Sequence, residues 1–186
     1  MKANETTSGI GMIEGSEYKN RFFGVEYTLP EGFSFYNADQ LTAMNSEIIR
    51  LHNDQAVLDA FKKGNAFFDM AATAENNPNV SVVIQIAGSD ATFINEAAYI
   101  EAARGKIIDQ LNSTGATVKS EETGTYTNPK TGDKFAALKL ALEAQGAPLY
   151  EEILCIKAGD HFMNVTAAAS DEVELDSVLS YLARIR

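Results

Sequence analysis

The chain has 186 residues, with 15 Lys and Arg against 26 Asp and Glu, a formal charge of −11. Its 45% apolar content is that of a packed domain and too high for a disordered one. A single Cys excludes an internal disulfide and a Cys-rich zinc or iron–sulfur site. The acidity excludes the broad positive field that generic nucleic-acid or anionic-membrane binding needs.

No stretch approaches the roughly 20 apolar residues that span a bilayer. Met1-Lys2 runs straight into polar Ala3-Asn4-Glu5-Thr6 with no apolar signal-peptide core. Residues 1–17 are rich in Gly, Ser, Thr, Glu and Asn and read as a flexible spacer. A spacer makes sense when something upstream is anchored. The expectation is therefore an extracytoplasmic domain, membrane-tethered through a missing N-terminal segment, the alternative being a cytoplasmic protein. Removing the spacer should cost little stability.

Residues 18–186 read as one domain. Residues 22–29 alternate, with Phe23, Val25, Tyr27 and Leu29 on one side, and predict a strand ended by Pro30-Glu31-Gly32. Residues 33–36 are a second extended piece. Asn37 with Gln40 marks a helix start, and Leu41, Met44, Ile48 and Leu51 give that helix one apolar stripe. Val57, Leu58 and Phe61 extend or restart it, with Lys62-Lys63-Gly64 as its end. Residues 66–73 and 80–87 form a hairpin across the turn formers of Asn76-Asn77-Pro78-Asn79. Phe93, Ala97, Ile100, Arg104, Ile107 and Leu111 then fall on one helical face, and all but Arg104 are apolar.

Four strands follow. Residues 117–127 are polar and predict an edge strand, while Ala136, Leu138, Leu140 and Leu142 mark a half-buried one. Residues 150–157 and 161–168 are joined by Ala158-Gly159-Asp160. Asp171 with Glu174 caps a last helix, with Leu175, Val178, Leu182 and Ile185 as its stripe. The fold class is α+β: a mainly antiparallel sheet flanked by helices on both faces, an α/β/α sandwich.

The residues that carry chemistry are few. Cys155 sits in apolar Ile153-Leu154-Cys155-Ile156 and reads as a small buried hydrophobe, not a nucleophile. The chain has no Gly-x-Ser-x-Gly elbow, no His pair at metal-ligand spacing, and no phosphate-binding or calcium loop. His52 suits a helix C-terminus. The carboxylates, Glu151-Glu152 among them, read as a solvated acidic surface, and Lys and Arg are scattered along the chain. No catalytic residue, cofactor or metal is implied. The candidate binding positions are Tyr126 and Tyr150, beside the turns of the later hairpins, and His161 at the start of its strand. For an enzyme reading, His161 with Glu151 or Asp160 is the first acid–base pair to consider.

Tyr18-Lys19-Asn20, followed by Phe23-Gly24-Val25-Glu26-Tyr27-Thr28-Leu29-Pro30-Glu31-Gly32-Phe33, resembles the opening of Mog1/PsbP-like domains. The resemblance is closest to a group of uncharacterised Firmicutes envelope proteins that look like lipoproteins. In those, a helix beginning near Asp39-Gln40-Leu41 and containing Asn45 follows. Phe33 stands where many members carry Trp. The resemblance implies an antiparallel sheet with helices on both sides and a mostly non-enzymatic interaction module, with no catalytic residue to carry over. The sequence thus points to a non-catalytic, lipid-tethered domain that binds a protein or cell-envelope ligand. The alternatives are a small cytosolic enzyme assembled around His161 and a structural or oligomerisation module.

Overall fold

The computed structural model describes residues 10–51 and 66–186. Strands β1 (Met12–Glu14), β2 (Glu17–Asn20) and β3 (Val25–Thr28) form a meander, joined at its far side by β11 (Leu182–Arg184). A larger sheet holds β4 (Phe33–Phe35), β5 (Phe67–Ala74), β6 (Asn77–Ser89), β10 (His161–Ala169), β9 (Ala147–Ala158), β8 (Lys134–Ala144) and β7 (Ala116–Thr127), in that spatial order. Every strand pair in both sheets is antiparallel. The helices are α1 (Ala38–Leu51), α2 (Glu96–Ser113) and α3 (Glu172–Leu179). The protein is thus of mixed α and β structure with antiparallel sheets dominant.

Alternation along the large sheet divides the core in two. On one face Leu138, Leu140, Leu142, Ile153, Cys155 and Phe162 pack with Ile100 of α2, and Ile107 and Leu111 border them. On the other, Met70, Val82, Ile84, Leu154, Ile156, Met163 and Val165 share a cluster with Tyr18, Val25 and Tyr27 of the small sheet and with Leu175, Val178 and Leu179 of α3. A second sheet therefore takes part of the cover expected from helices.

Local signals explain most boundaries. Asn37 and Gln40 cap α1 reciprocally: Gln40 N–H donates to Asn37 Oδ1 and Asn37 N–H to Gln40 Oε1, both at 2.9 Å. Asp171 Oδ1 accepts from Glu174 N–H at 2.8 Å to start α3. The N-cap of α2 is Asn95, so Phe93 lies outside the helix that its spacing suggested. β7 is the edge strand, exposed along its length except at half-buried Ala116 and Val118 and buried Tyr126. The second helical stretch at Val57, Leu58 and Phe61, its Lys62-Lys63-Gly64 end, and His52 lie outside the described residues.

Two expectations are corrected. Leu182 and Ile185 do not continue the last helix: α3 ends at Leu179, and Leu182 enters β11 beside Tyr27. A helical stripe and a short strand with a buried first residue look alike over four positions, and pairing with β3 decides between them. The expected spacer is also too long. Met12–Glu14 already pairs with Glu17–Lys19, and Gly11 is fastened to the large sheet.

That fastening centres on Asp69. The β5–β6 ladder slips between Phe68 and Met70, leaving Asp69 as the bulged residue. Its Oδ2 accepts from Tyr18 OH at 2.6 Å, Gly11 N–H at 2.8 Å and Asn20 Nδ2 at 3.2 Å. Burial holds this carboxyl above the usual range, opposed by its three donors. A side chain at position 11 would overlap the Tyr18 ring, so the close approach requires glycine. Next to the bulge, Asn45 of α1 accepts from Phe68 N–H at 2.7 Å and donates to Phe68 O at 3.1 Å. It completes the β5 edge where three-residue β4 stops short.

Asp69→Ala is expected to lower the unfolding free energy by about 2–4 kcal/mol in urea titrations, because three donors lose one acceptor. Asp69→Asn, which keeps an acceptor oxygen, should cost less. Deleting residues 2–16 should lower the thermal midpoint by more than about 4 °C, through loss of β1 and the Gly11 bond. An unchanged midpoint would make that segment the spacer its composition suggested.

Candidate binding groove

Strand β2 has a period of two, so fixing Tyr18 and Asn20 on Asp69 turns Lys19 outward, and Arg21 follows in the turn just past the strand. Both inward residues are fully buried, and Arg21 is exposed. Across the sheet, Lys19 stands opposite Glu26, and Glu26 opposite Ala183. Ile185 N–H donates to Gly24 O at 2.9 Å, which brings the last residues alongside. The result is a groove of about 730 Å³ lined by Lys19, Arg21, Gly24, Glu26, Thr131, Ala183, Arg184, Ile185 and Arg186.

The far wall is built by another buried amide. Asn128 is 1% exposed, and its Nδ2 donates to Leu182 O at 2.6 Å and Ser180 O at 3.1 Å. Its Oδ1 accepts from the N–H groups of Lys130 and Thr131 at 2.7 and 3.1 Å. The turn at 128–133 is thereby clamped to β11. Arg184 N–H donates to Asp133 Oδ2 at 3.0 Å, while the Arg184 guanidinium lies 4.8 Å from the Phe135 ring centre. That bond, with Thr131 and the charges of Arg186 and Arg184, holds the Asp133 carboxyl below its ordinary range. Arg186 Nη2 donates to Thr131 O at 3.2 Å.

Four cations thus converge on an acidic chain. Lys19 is engaged, with Glu17 at 2.7 Å and Glu26 at 3.8 Å. Arg21 makes no ion pair with any described residue. Gly24 has φ +66° and open space where a Cβ would stand, and Ala183 beside it is small, so the floor is low. Chemically the groove offers guanidinium N–H forks, matched to the paired oxygens of a carboxylate or phosphoryl group. Sequence reasoning missed it because its cations come from both ends of the chain, and only the β3–β11 pairing joins them.

The sequence-predicted positions lie elsewhere and apart. Tyr126 is 8% exposed, not free at a turn; its OH is buried with no hydrogen-bond partner among the described residues. Burial pushes that phenol up, helped by Asp176 and Glu152. Tyr150 is half-buried against the core and opposes Ala169, whereas His161 opposes Ala158 at the other end of the same hairpin. His161 Nδ1 lies 2.8 Å from Asp160 Oδ1, and Ser89 Oγ donates to Asp160 Oδ2 at 2.9 Å. The Ser89 bond is the main reason Asp160 stays below the ordinary carboxylate range. This order places the carboxylate between hydroxyl and imidazole. It clasps the end of β6 to the β9–β10 turn and does not activate a serine. Glu151 is seven residues along β9 from the partner of His161, roughly 23 Å away, so those two do not form an acid–base pair.

Glu151 and Glu152 depart from the solvated surface expected of them. Glu152 is 5% exposed, facing Lys139, whose Nζ is drawn to Glu172 at 2.6 Å. Burial pushes its carboxyl up to about 7; Lys139 opposes this, and Asp176 and Glu172 add to it. Glu151 lies on the opposite face beside Ile107 and Leu111 of α2, and burial raises it likewise to about 7. Cys155 is 1% exposed, and burial foremost, with Glu96 adding, pushes its thiol up to about 12. No group of three or more His, Cys, Asp or Glu arranged to hold a metal occurs among the described residues. No helix among them is long and apolar enough to cross a membrane.

No family model matches the chain, and no curated protein sequence matches it.

A carboxyl harder to ionise when folded makes the folded state hold more protons than the unfolded one. The contribution of Glu152 is therefore fully present below the ordinary value of 4.5 and lost as pH rises to about 7. Glu152→Gln is expected to match the wild type at pH 4 and exceed its stability at pH 8 by about 1–3 kcal/mol in urea titrations. Equal pH profiles would contradict a buried ionising Glu152. Cys155 should react with a disulfide reagent only as fast as the protein unfolds, and rapid labelling of the native state would contradict its burial.

Proposed function

We propose that the chain is a non-catalytic binding domain that takes a negatively charged protein or cell-envelope ligand in the groove on its small sheet. The observation that carries this reading is the convergence of Lys19, Arg21, Arg184 and Arg186 on a protein of charge −11. A positive patch on an acidic surface is where an anionic partner is steered. The buried thiol of Cys155 and the serine–carboxylate–imidazole order at Ser89, Asp160 and His161 support a role other than nucleophilic catalysis.

The Mog1/PsbP-like arrangement, with helices on both faces of the sheet, belongs to the same proposal. Packing of Ile100 and of Leu175 into separate clusters supports it. So does Asn45, one of the residues of the resemblance, which holds the β5 edge. The extracytoplasmic, lipid-tethered placement rests on the polar composition of the first residues and on the resemblance.

Two measurements test the reading. Detergent partitioning of the native protein with intact mass of its mature N-terminus should find a lipid-modified Cys upstream of this sequence; an unmodified cytosolic protein would overturn the placement. Titration of isotope-labelled protein with an oligo-glutamate peptide at low ionic strength should shift amide signals of residues 19–26 and 183–186. The Arg21→Glu/Arg186→Glu variant should lose those shifts. Shifts that persist in the variant would remove the groove from the function.

A further inference from the structure

We infer that the groove recognises its ligand through one or two discrete oxyanion groups, carboxylate or phosphoryl, so that a small anion binds it on its own. The inference rests on the binding-domain reading and names what is bound. The groove, about 730 Å³ and open to solvent, has room for such a group between its cationic walls. Glu26 lines the groove, and with Glu17 it occupies Lys19, so the free positive charge is short-range and resides in the guanidiniums.

The two walls differ in readiness. Arg186 already gives one N–H to Thr131 O, which fixes its direction. Arg21 has no ion-pair partner among the described residues, so an incoming oxyanion displaces no existing salt bridge there. The floor at Gly24 and Ala183 lets the ligand approach the sheet backbone between them. Arg21 is thereby the specificity-bearing cation and Ala183 the residue that sets the depth.

The test is calorimetric and NMR titration of the full chain with inorganic phosphate, citrate and the oligo-glutamate peptide at low ionic strength. Phosphate or citrate is expected to bind and to shift residues 19–26 and 183–186, and the stronger of the two identifies the oxyanion. Arg21→Ala should weaken that binding by at least about tenfold, the loss of one charged contact. Ala183→Leu, which removes no charge, should weaken it as well by filling the floor. Lys119→Ala, whose lysine pairs with Glu143 on another strand pair, should leave it unchanged. Groove shifts with the peptide but with neither small anion would overturn this inference and leave the binding-domain reading standing. No groove shift with any of the three would overturn both.

Discussion

The carboxylate of Asp69 is the interaction on which the rest depends. It sits at the one residue of β5 that finds no partner in β6, and it turns that defect into an acceptor for three donors of the small-sheet side. A buried carboxylate without such donors would be costly, and the donors without it would be costly too. The two sheets are therefore held in one register by mutual need, beyond the apolar cluster they share. Apolar contact alone is non-directional and would tolerate sliding.

Orientation at the groove follows from this tie. With Tyr18 and Asn20 fixed inward, the strand must present Lys19 outward, and its end at Asn20 places exposed Arg21 in the turn beyond. Asn128 performs the matching task on the other wall, satisfying all its own polar atoms while binding the turn to β11. Its bond to Leu182 O, with that of Asp133 to Arg184 N–H, occupies polar groups along the strand's outer edge. An edge so occupied is not a template for another strand. Recognition at this end of the molecule accordingly falls to side chains.

The charge of the protein is unevenly used. Most carboxylates are solvated, but Glu151 and Glu152 lie at positions where ionisation is opposed by burial, one on each face of β9. They make the fold more tolerant of mild acid than a chain of charge −11 would otherwise be, while Asp133 and Asp160 contribute in the opposite direction. Against this background the cations of the groove stand out because three of the four are guanidiniums, charged at every physiological pH.

The sequence by itself determined the elements. The capping pairs at Asn37 and Asp171 are contacts within a few residues, and the alternation in residues 136–142 and the apolar stripe ending at Leu111 are patterns that a short window contains. It also determined that Cys155 is buried, since an apolar β run carries its own burial signal. The tertiary structure alone decided the rest. That Leu182 is a strand residue, that Tyr126 is covered, that Glu152 is interior and that Arg21 meets Arg186 all depend on which strands become neighbours. Pairing is set by the summed burial of residues far apart in the chain, Tyr27 with Leu182 and Asn20 with Asp69 among them, and no local window contains that sum.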